Sequence, residues 1–376
     1  MYSMNITTRP EEELWHNVSS AGAYEWWYFD AVDVESGISF VVIWFCGFPF
    51  SPSYATHYEQ WKRGAINHPP HPSDYSAFSF QCYEQGQELI NFIKESDRSA
   101  FSSNPSSVGV TFEQCSFTYQ PDNDSYQLSI AFDFPARNRS VKASFCFAVQ
   151  QRVALEQQDG NNGGKVPRHQ WLLGAPYARV SGDMRLMNSG GQHLRTITVQ
   201  GAHGYHDHNL GELPMQEYMK RWYWGRAFSS RYYLVYYLIF YRNTAYAPRF
   251  FVLLHDVELG STTHYQPATL REEQLHHGLF APLHSRQLFL SGNGASLTIE
   301  HHHPLDAGPF YLRFPATISL KQEGQAVITL QGISEFLNPQ RLNSHFFRFF
   351  TRSRILRSNQ PSLMYNVYNR FKQIVG

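Results

Sequence analysis

Charge is scarce in this sequence. Only 16% of its 376 residues are Asp, Glu, Lys or Arg, and 31 basic residues cancel 31 acidic ones to a formal net charge of zero. A protein without a field of one sign has nothing to draw it to a polyphosphate, which argues against a nucleic-acid partner. Cysteine is also sparse: Cys46, Cys82, Cys115 and Cys146 stand singly, with no CxxC pair for zinc or redox chemistry, and read as buried reduced thiols. Long apolar runs are missing, since no stretch reaches the roughly 18 uncharged residues of a membrane span. The richest, Tyr232 to Tyr241, is strand length. The N-terminus, MYSMNITTRPEEELWHN, carries acidic residues where a signal peptide has a basic segment and an apolar run, so a cytoplasmic location is expected. No GxGxxG, P-loop, GxSxG or HExxH pattern occurs, which disfavours nucleotide cofactors and serine hydrolysis. No cofactor is expected.

Aromatic residues are abundant: 29 Phe, 23 Tyr and 8 Trp make up 16% of the chain. They fall in short β-branched and aromatic runs with strand character, among them Glu25 to Asp30, Ile38 to Phe45, Ala77 to Cys82, Ser125 to Phe132, Val141 to Ala148, Ala178 to Met187, Leu194 to Tyr205 and Phe250 to Val257. Helical periodicity is nearly absent. Many strands separated by Gly, Asn and Pro turns, without helix-length crossovers, predict an all-β protein of antiparallel meanders closing into barrels. The length suits two such domains. A polar, Gly-rich stretch from Gln150 to Pro167 reads as a linker or a long hairpin tip, and the boundary is expected between 150 and 195, giving domains 1–190 and 191–376.

Three clusters carry candidate chemistry. In Glu25-Trp26-Trp27-Tyr28-Phe29-Asp30, strand alternation puts Glu25, Trp27 and Phe29 on one face and Trp26, Tyr28 and Asp30 on the other. Each carboxylate is then either paired with a cation, Arg179 or Arg226 being candidates, or raised in pKa by desolvation. In Tyr205-His206-Asp207-His208-Asn209, bracketed by Gly204 and Gly211, His206 and His208 share one face and Tyr205, Asp207 and Asn209 the other. Such a histidine pair binds a metal or shuttles protons. The sequence identifies no third ligand, so proton transfer is the reading taken and no metal is expected, with Asp207 fixing a tautomer of its neighbouring rings. The third cluster is Arg221-Trp222-Tyr223-Trp224-Gly225-Arg226, followed by the aromatic strand that holds Tyr236 and Tyr237. Aromatic faces stabilise positive charge by about 0.5–2 kcal/mol per contact, which a carbocation needs, although the same residues also simply fill a barrel.

The C-terminal segment changes character. After Glu335 there is no acidic residue, while six Arg and Lys372 lie among Phe346, Phe347, Phe349 and Phe350. A cationic aromatic tail, partly helical, either contacts a membrane surface or packs across the barrels with its Arg side chains in solvent.

The early EWWYFD strand, the central GYHDHNLG segment and the WYWGR that follows together resemble the carotenoid 1,2-hydratase (hydroxyneurosporene synthase) and AttH-like family, in an order that spans most of the chain. The resemblance implies two lipocalin-like β-barrel domains around a pocket for a hydrophobic small molecule. Its relatives include cofactor-free hydratases of isoprenoid double bonds and pericyclases of the Diels–Alderase type. It also carries the family's acid–base histidine to His208. Two departures stand out: Leu210 where a hydratase-like pattern has Trp, and no Asp on the later strand before Asp256.

The expected function is protonation of a carbon–carbon double bond in a polyene or isoprenoid, followed by hydration or cyclisation. Asp207 or Glu25 would be the acid, His208 its partner and His206 nearby, with Trp26, Trp27, Tyr28, Tyr205, Trp222, Trp224, Tyr236 and Tyr237 lining the pocket. A pericyclase that needs no strong acid and a non-catalytic carrier are the alternatives.

Overall fold

Residues with two-residue alternation and bulky aromatic or β-branched side chains fit a pleated surface with one buried face, and strands built from them dominate the computed structural model. It describes residues 3–7, 9–153, 168–278, 281–292, 294–357 and 362–375. The expected linker, beyond Val153, lies outside the described residues. Contacts divide the chain into one unit of Met1–Pro214 with Arg348–Gly376 and a second of Met215–Phe347. The division therefore falls after Pro214 and again at Arg348, where the sequence placed a single boundary at 190.

The first unit holds β1 (Ser3–Thr7), β2 (Tyr24–Asp33), β3 (Ile38–Cys46), β4 (Ser76–Glu84), β5 (Gln87–Ser96) and β6 (Phe101–Ser103). It continues with β7 (Gly109–Phe112), β8 (Cys115–Gln120), β9 (Ser125–Phe134), β10 (Arg139–Gln151), β11 (Arg168–Met187) and β12 (His193–Gly211). From β2 to β5 the chain meanders antiparallel, and β12 pairs with β2 on one side and β11 on the other. The sheet then runs on through β10, β9, β8, β7 and β6, while β1 pairs with β11 in parallel. Because β12 is the mid-sheet partner of β2, it belongs with the first unit. The core gathers inward residues of all these strands, including Trp27, Phe29, Phe40, Trp44, Phe80, Phe117, Tyr126 and Phe147.

The second unit holds β13 (Met219–Phe228), β14 (Tyr232–Tyr241), β15 (Arg249–Asp256), β16 (Ser261–Tyr265), β17 (Thr269–His276) and β18 (His284–Gly292). After these come β19 (Ala295–His301), β20 (Asp306–Ala307), β21 (Tyr311–Gln322) and β22 (Ile328–Leu337). Its sheet order is β16-β15-β14-β13-β22-β21-β19-β18-β17, with β20 on β21. Both sheets curl as in lipocalin-like folds.

Helix is more frequent than the sequence suggested. The helix α1 (Pro52–Lys62) starts on Ser51, whose side chain accepts from the Tyr54 amide at 3.0 Å, with Pro52 in the first turn. Its apolar residues do not gather on one stripe, so no helical period shows. A four-residue helix, α2 (Met215–Tyr218), opens the second unit. The C-terminal segment forms α3 (His345–Arg352), a two-residue strand β23 (Leu356–Arg357) beside β5, and α4 (Leu363–Val375). Arg348 is buried in an ion pair with Glu59, and Arg137 holds Asn369 at 3.0 Å. These contacts anchor part of the basic tail on the first unit, while Phe346 and Phe349 on α3 are 56% and 47% exposed. Among the described residues no helix is long and apolar enough to cross a membrane.

Candidate active site

The antiparallel register of β12 against β2 builds the candidate site, setting His206 opposite Phe29, Asp207 opposite Tyr28 and His208 opposite Trp27. Neighbours across a ladder share a face, so both imidazoles enter the interior with an aromatic ring against each. His206 stacks on Phe29 at 3.9 Å between centroids and His208 on Trp27 at 4.5 Å. Both histidines are fully buried. A charged or neutral imidazole in such a place needs polar partners, and each one has a carboxylate.

The partner of His206 is Glu13, delivered by the short 3-10 turn Pro10–Glu13. Glu13 Oε2 lies 3.0 Å from His206 Nε2, and both its oxygens accept from the Tyr126 hydroxyl at 2.8 Å. Arg152 comes within 3.7 Å of Glu13 and is itself tied to Asp124 at 2.6 Å. Burial alone would raise the Glu13 carboxyl, but the hydrogen bond and charge of His206, with Tyr126 and Arg152, outweigh it and hold Glu13 below its usual range. On the far side of the ring, His206 Nδ1 is 2.9 Å from the Tyr28 carbonyl, which can only accept. Nδ1 therefore donates to that carbonyl, and one proton is shared between Nε2 and the Glu13 carboxyl. Gly174 makes room for the pair, because a Cβ there would come 2.6 Å from both Glu13 Oε1 and His206 Cδ2.

Glu25 is the partner of His208, with Oε1 2.9 Å from Nε2. The same oxygen accepts from His16 twice, from its backbone amide at 2.9 Å and from Nδ1 at 3.0 Å. Burial pushes Glu25 up, but the His16 and His208 hydrogen bonds bring it net below the usual carboxylate range. For His208, burial lowers the pKa by more than Glu25 raises it, which favours the neutral ring. Among the described residues neither Glu25 Oε2 nor His208 Nδ1 has a hydrogen-bond partner, although both atoms are buried. The expected Arg partners of Glu25 are engaged elsewhere: Arg179 donates to the Gly201 carbonyl at 2.9 Å, and Arg226 lies over Phe228 in the second unit.

Asp207 occupies the opposite face of β12. It accepts from Trp171 Nε1 at 2.8 Å and Tyr205 Oη at 2.7 Å on one oxygen, and from Asn209 Nδ2 at 2.8 Å on the other. The expectation that Asp207 fixes the tautomer of its neighbouring histidines is thus corrected, because adjacent strand residues point apart. Glu13 and Glu25 take that part instead. Tyr28, bonded to Asp30 at 2.8 Å, lies edge-on to Tyr205, and Trp26 stacks on Tyr24; these share the outer face with Asp207.

In the second unit the same alternation separates the other expected lining residues. Tyr236 faces the interior, where its hydroxyl meets Ser334 Oγ at 2.5 Å and Ser334 meets His301 Nε2 at 2.8 Å. Trp222 and Tyr237 meet edge-on at 5.9 Å on the other face, which Trp224 shares through its register with Tyr237. Within each unit the eight residues therefore divide between two faces. Sequence reading missed Glu13, His16, Tyr126 and Arg152. Glu13 and His16 stand in a segment read only for its acidity, and nothing in their spacing links them to β12. A separate cleft of about 550 Å³, between β5, β9, β10 and the C-terminal segment, is lined by Phe92, Phe132, Lys94, Glu113, Leu356 and Tyr365, among others, and includes none of the histidine or carboxylate partners.

Curled antiparallel sheets and buried histidine–carboxylate pairs define an all-β protein of lipocalin-like architecture. Solved structures share the fold: a putative AttH from Nitrosomonas europaea aligns over 87% of this chain and 95% of its own with a TM-score of 0.56 at 13% identity. CghA with Sch210972 aligns over 84% and 88% with a TM-score of 0.57 at 15% identity. The chain belongs to the carotenoid hydratase CrtC family, whose profile matches residues 42–363. It is 45% identical over 369 residues to a hydroxyneurosporene dehydrogenase of Chlorobaculum tepidum, covering 98% of this chain and 96% of that one. To an acyclic carotenoid 1,2-hydratase of Thiocapsa roseopersicina it is 26% identical over 212 residues, 55% of this chain and 45% of that protein.

Proposed function

We propose that this protein adds water across a carbon–carbon double bond of a hydrophobic, carotenoid-type polyene by general acid–base chemistry. Family membership supports the reaction class. The observation that carries the assignment of residues is the His206–Glu13 pair, whose hydrogen bonds leave one proton between Nε2 and a carboxylate. In this reading that proton goes to an alkene carbon, and the resulting cation is stabilised by nearby aromatic faces. Water attacks the cation, and its surplus proton returns to the pair, so the substrate gains one H2O and the protein is unchanged. His208, to which the resemblance assigns the acid–base role, stands two residues along the same strand and places a second imidazole on Glu25. No electrons are exchanged in this reaction, so it needs no nucleotide or redox group.

The relative from Chlorobaculum tepidum carries the name of a dehydrogenase, and the two reactions differ in mass. Incubation of the purified protein with an acyclic carotenoid, followed by mass spectrometry of the extract, supports hydration if the product is heavier by one water. A product lighter by two hydrogens supports dehydrogenation. An isomer of unchanged mass supports cyclisation or a pericyclic step, and unaltered bound ligand supports a carrier. Contact with a membrane that holds such a substrate is assigned to α3, where Phe346 and Phe349 are exposed.

A further inference from the structure

Glu25 is lopsided. One oxygen takes three donors from two imidazole-bearing residues, while the other, equally buried, takes none among the described residues. A carboxylate placed only to satisfy two histidines has no reason to leave half its lone pairs bare in a dry interior, where an unmade hydrogen bond costs about 1–3 kcal/mol. We propose that His16, Glu25 and His208 form a binding site for one divalent transition-metal ion of the zinc class, with His16 Nδ1, a Glu25 oxygen and His208 Nε2 as donors.

The three donor atoms lie within 4.8 Å of one another. Adjacent donors around a tetrahedral zinc stand about 3.3 Å apart, given bonds of about 2.0–2.1 Å. Around the Glu25 oxygen the present separations of 2.9 and 3.0 Å would open by a few tenths of an ångström to admit the ion, and the two ring nitrogens lie within 4.8 Å of each other. Two nitrogens and one carboxylate make the ligand set of open rather than closed zinc sites, with a fourth position left for water. The site also has an entrance. The His16 side chain is 33% exposed, whereas those of Glu25 and His208 are fully buried. The sequence held no sign of this set because its third ligand comes from the N-terminal segment, far from β12 in the chain. The site is independent of the proposed reaction, whose proton is assigned to His206 and Glu13.

The test is Zn2+ binding by the full-length, tag-free protein stripped of metal, measured by competition with a chromogenic chelator and followed in parallel with Co2+ by visible absorption. The expected result is one ion per chain, with affinity weakened about tenfold or more by His16→Ala, at least the loss that removing an outer-shell partner of a ligand brings. Glu25→Gln should weaken it at least as much, and the double variant His276→Ala/His277→Ala should leave it unchanged. His16 is partly exposed, so its variant is expected to fold, as circular dichroism will verify. Absence of stoichiometric binding overturns the proposal, as does binding that survives His16→Ala or is lost in the His276/His277 variant.

Discussion

Glu13 Oε2 and His206 Nε2 lie 3.0 Å apart although 193 residues separate them in the chain. The contact joins a single 3-10 turn near the N-terminus to the middle of β12, and Gly174 on β11 is what lets the two side chains meet. Gly174→Ala should therefore act on both. Overpacking of this kind costs about 1–3 kcal/mol. The expected outcome is a lower unfolding midpoint in urea and a fall in turnover per folded molecule that stabilising conditions do not restore.

Glu13→Gln keeps the shape of the side chain and removes its charge. If the proton shared with His206 is the one transferred, turnover should fall by about 10²–10⁴-fold, the usual span for a positioned acid–base group. Ligand binding should persist and would be checked by quenching of tryptophan fluorescence.

Asp207 anchors Trp171, Tyr205 and Asn209 on the outer face of β12. Asp207→Asn removes the charge from three hydrogen bonds and leaves a donor facing donors, so it should lower stability by about 1–3 kcal/mol. Chemical denaturation of the variant against the parent measures this.

Two buried histidines make stability depend on pH. Burial pushes His169 down to about 3 and His301 down to about 4, against an ordinary value of 6.5. Below pH 6.5 the unfolded chain takes up protons that the folded one refuses, so acid favours unfolding. Stability should fall from pH 6.5 towards pH 4, with a limiting slope of about 1.4 kcal/mol per pH unit for each group. His169→Gln should flatten the curve over that window, as urea titrations at stepped pH would show.

Much of the fold was legible because strand alternation is local. The two faces of Glu25–Asp30 and of Tyr205–Asn209 follow from a two-residue period, and the structure places those side chains accordingly. The helix α1 escaped because its aromatic residues do not gather on one face, and β12 was assigned to the wrong half because pairing with β2 is a long-range choice. The candidate site was half legible for the same reason. His206 and His208 announce themselves by density, whereas Glu13 and His16 have partners set only by how the N-terminal segment enters the barrel. Asp207 was credited with a role towards its neighbours that a strand does not permit.

The most direct test of the central claim is the mass of the product formed from an acyclic carotenoid by the parent protein and by Glu13→Gln, each verified as folded. The account predicts a product heavier by one water from the parent and almost none from the variant. Undiminished water addition by Glu13→Gln would contradict it.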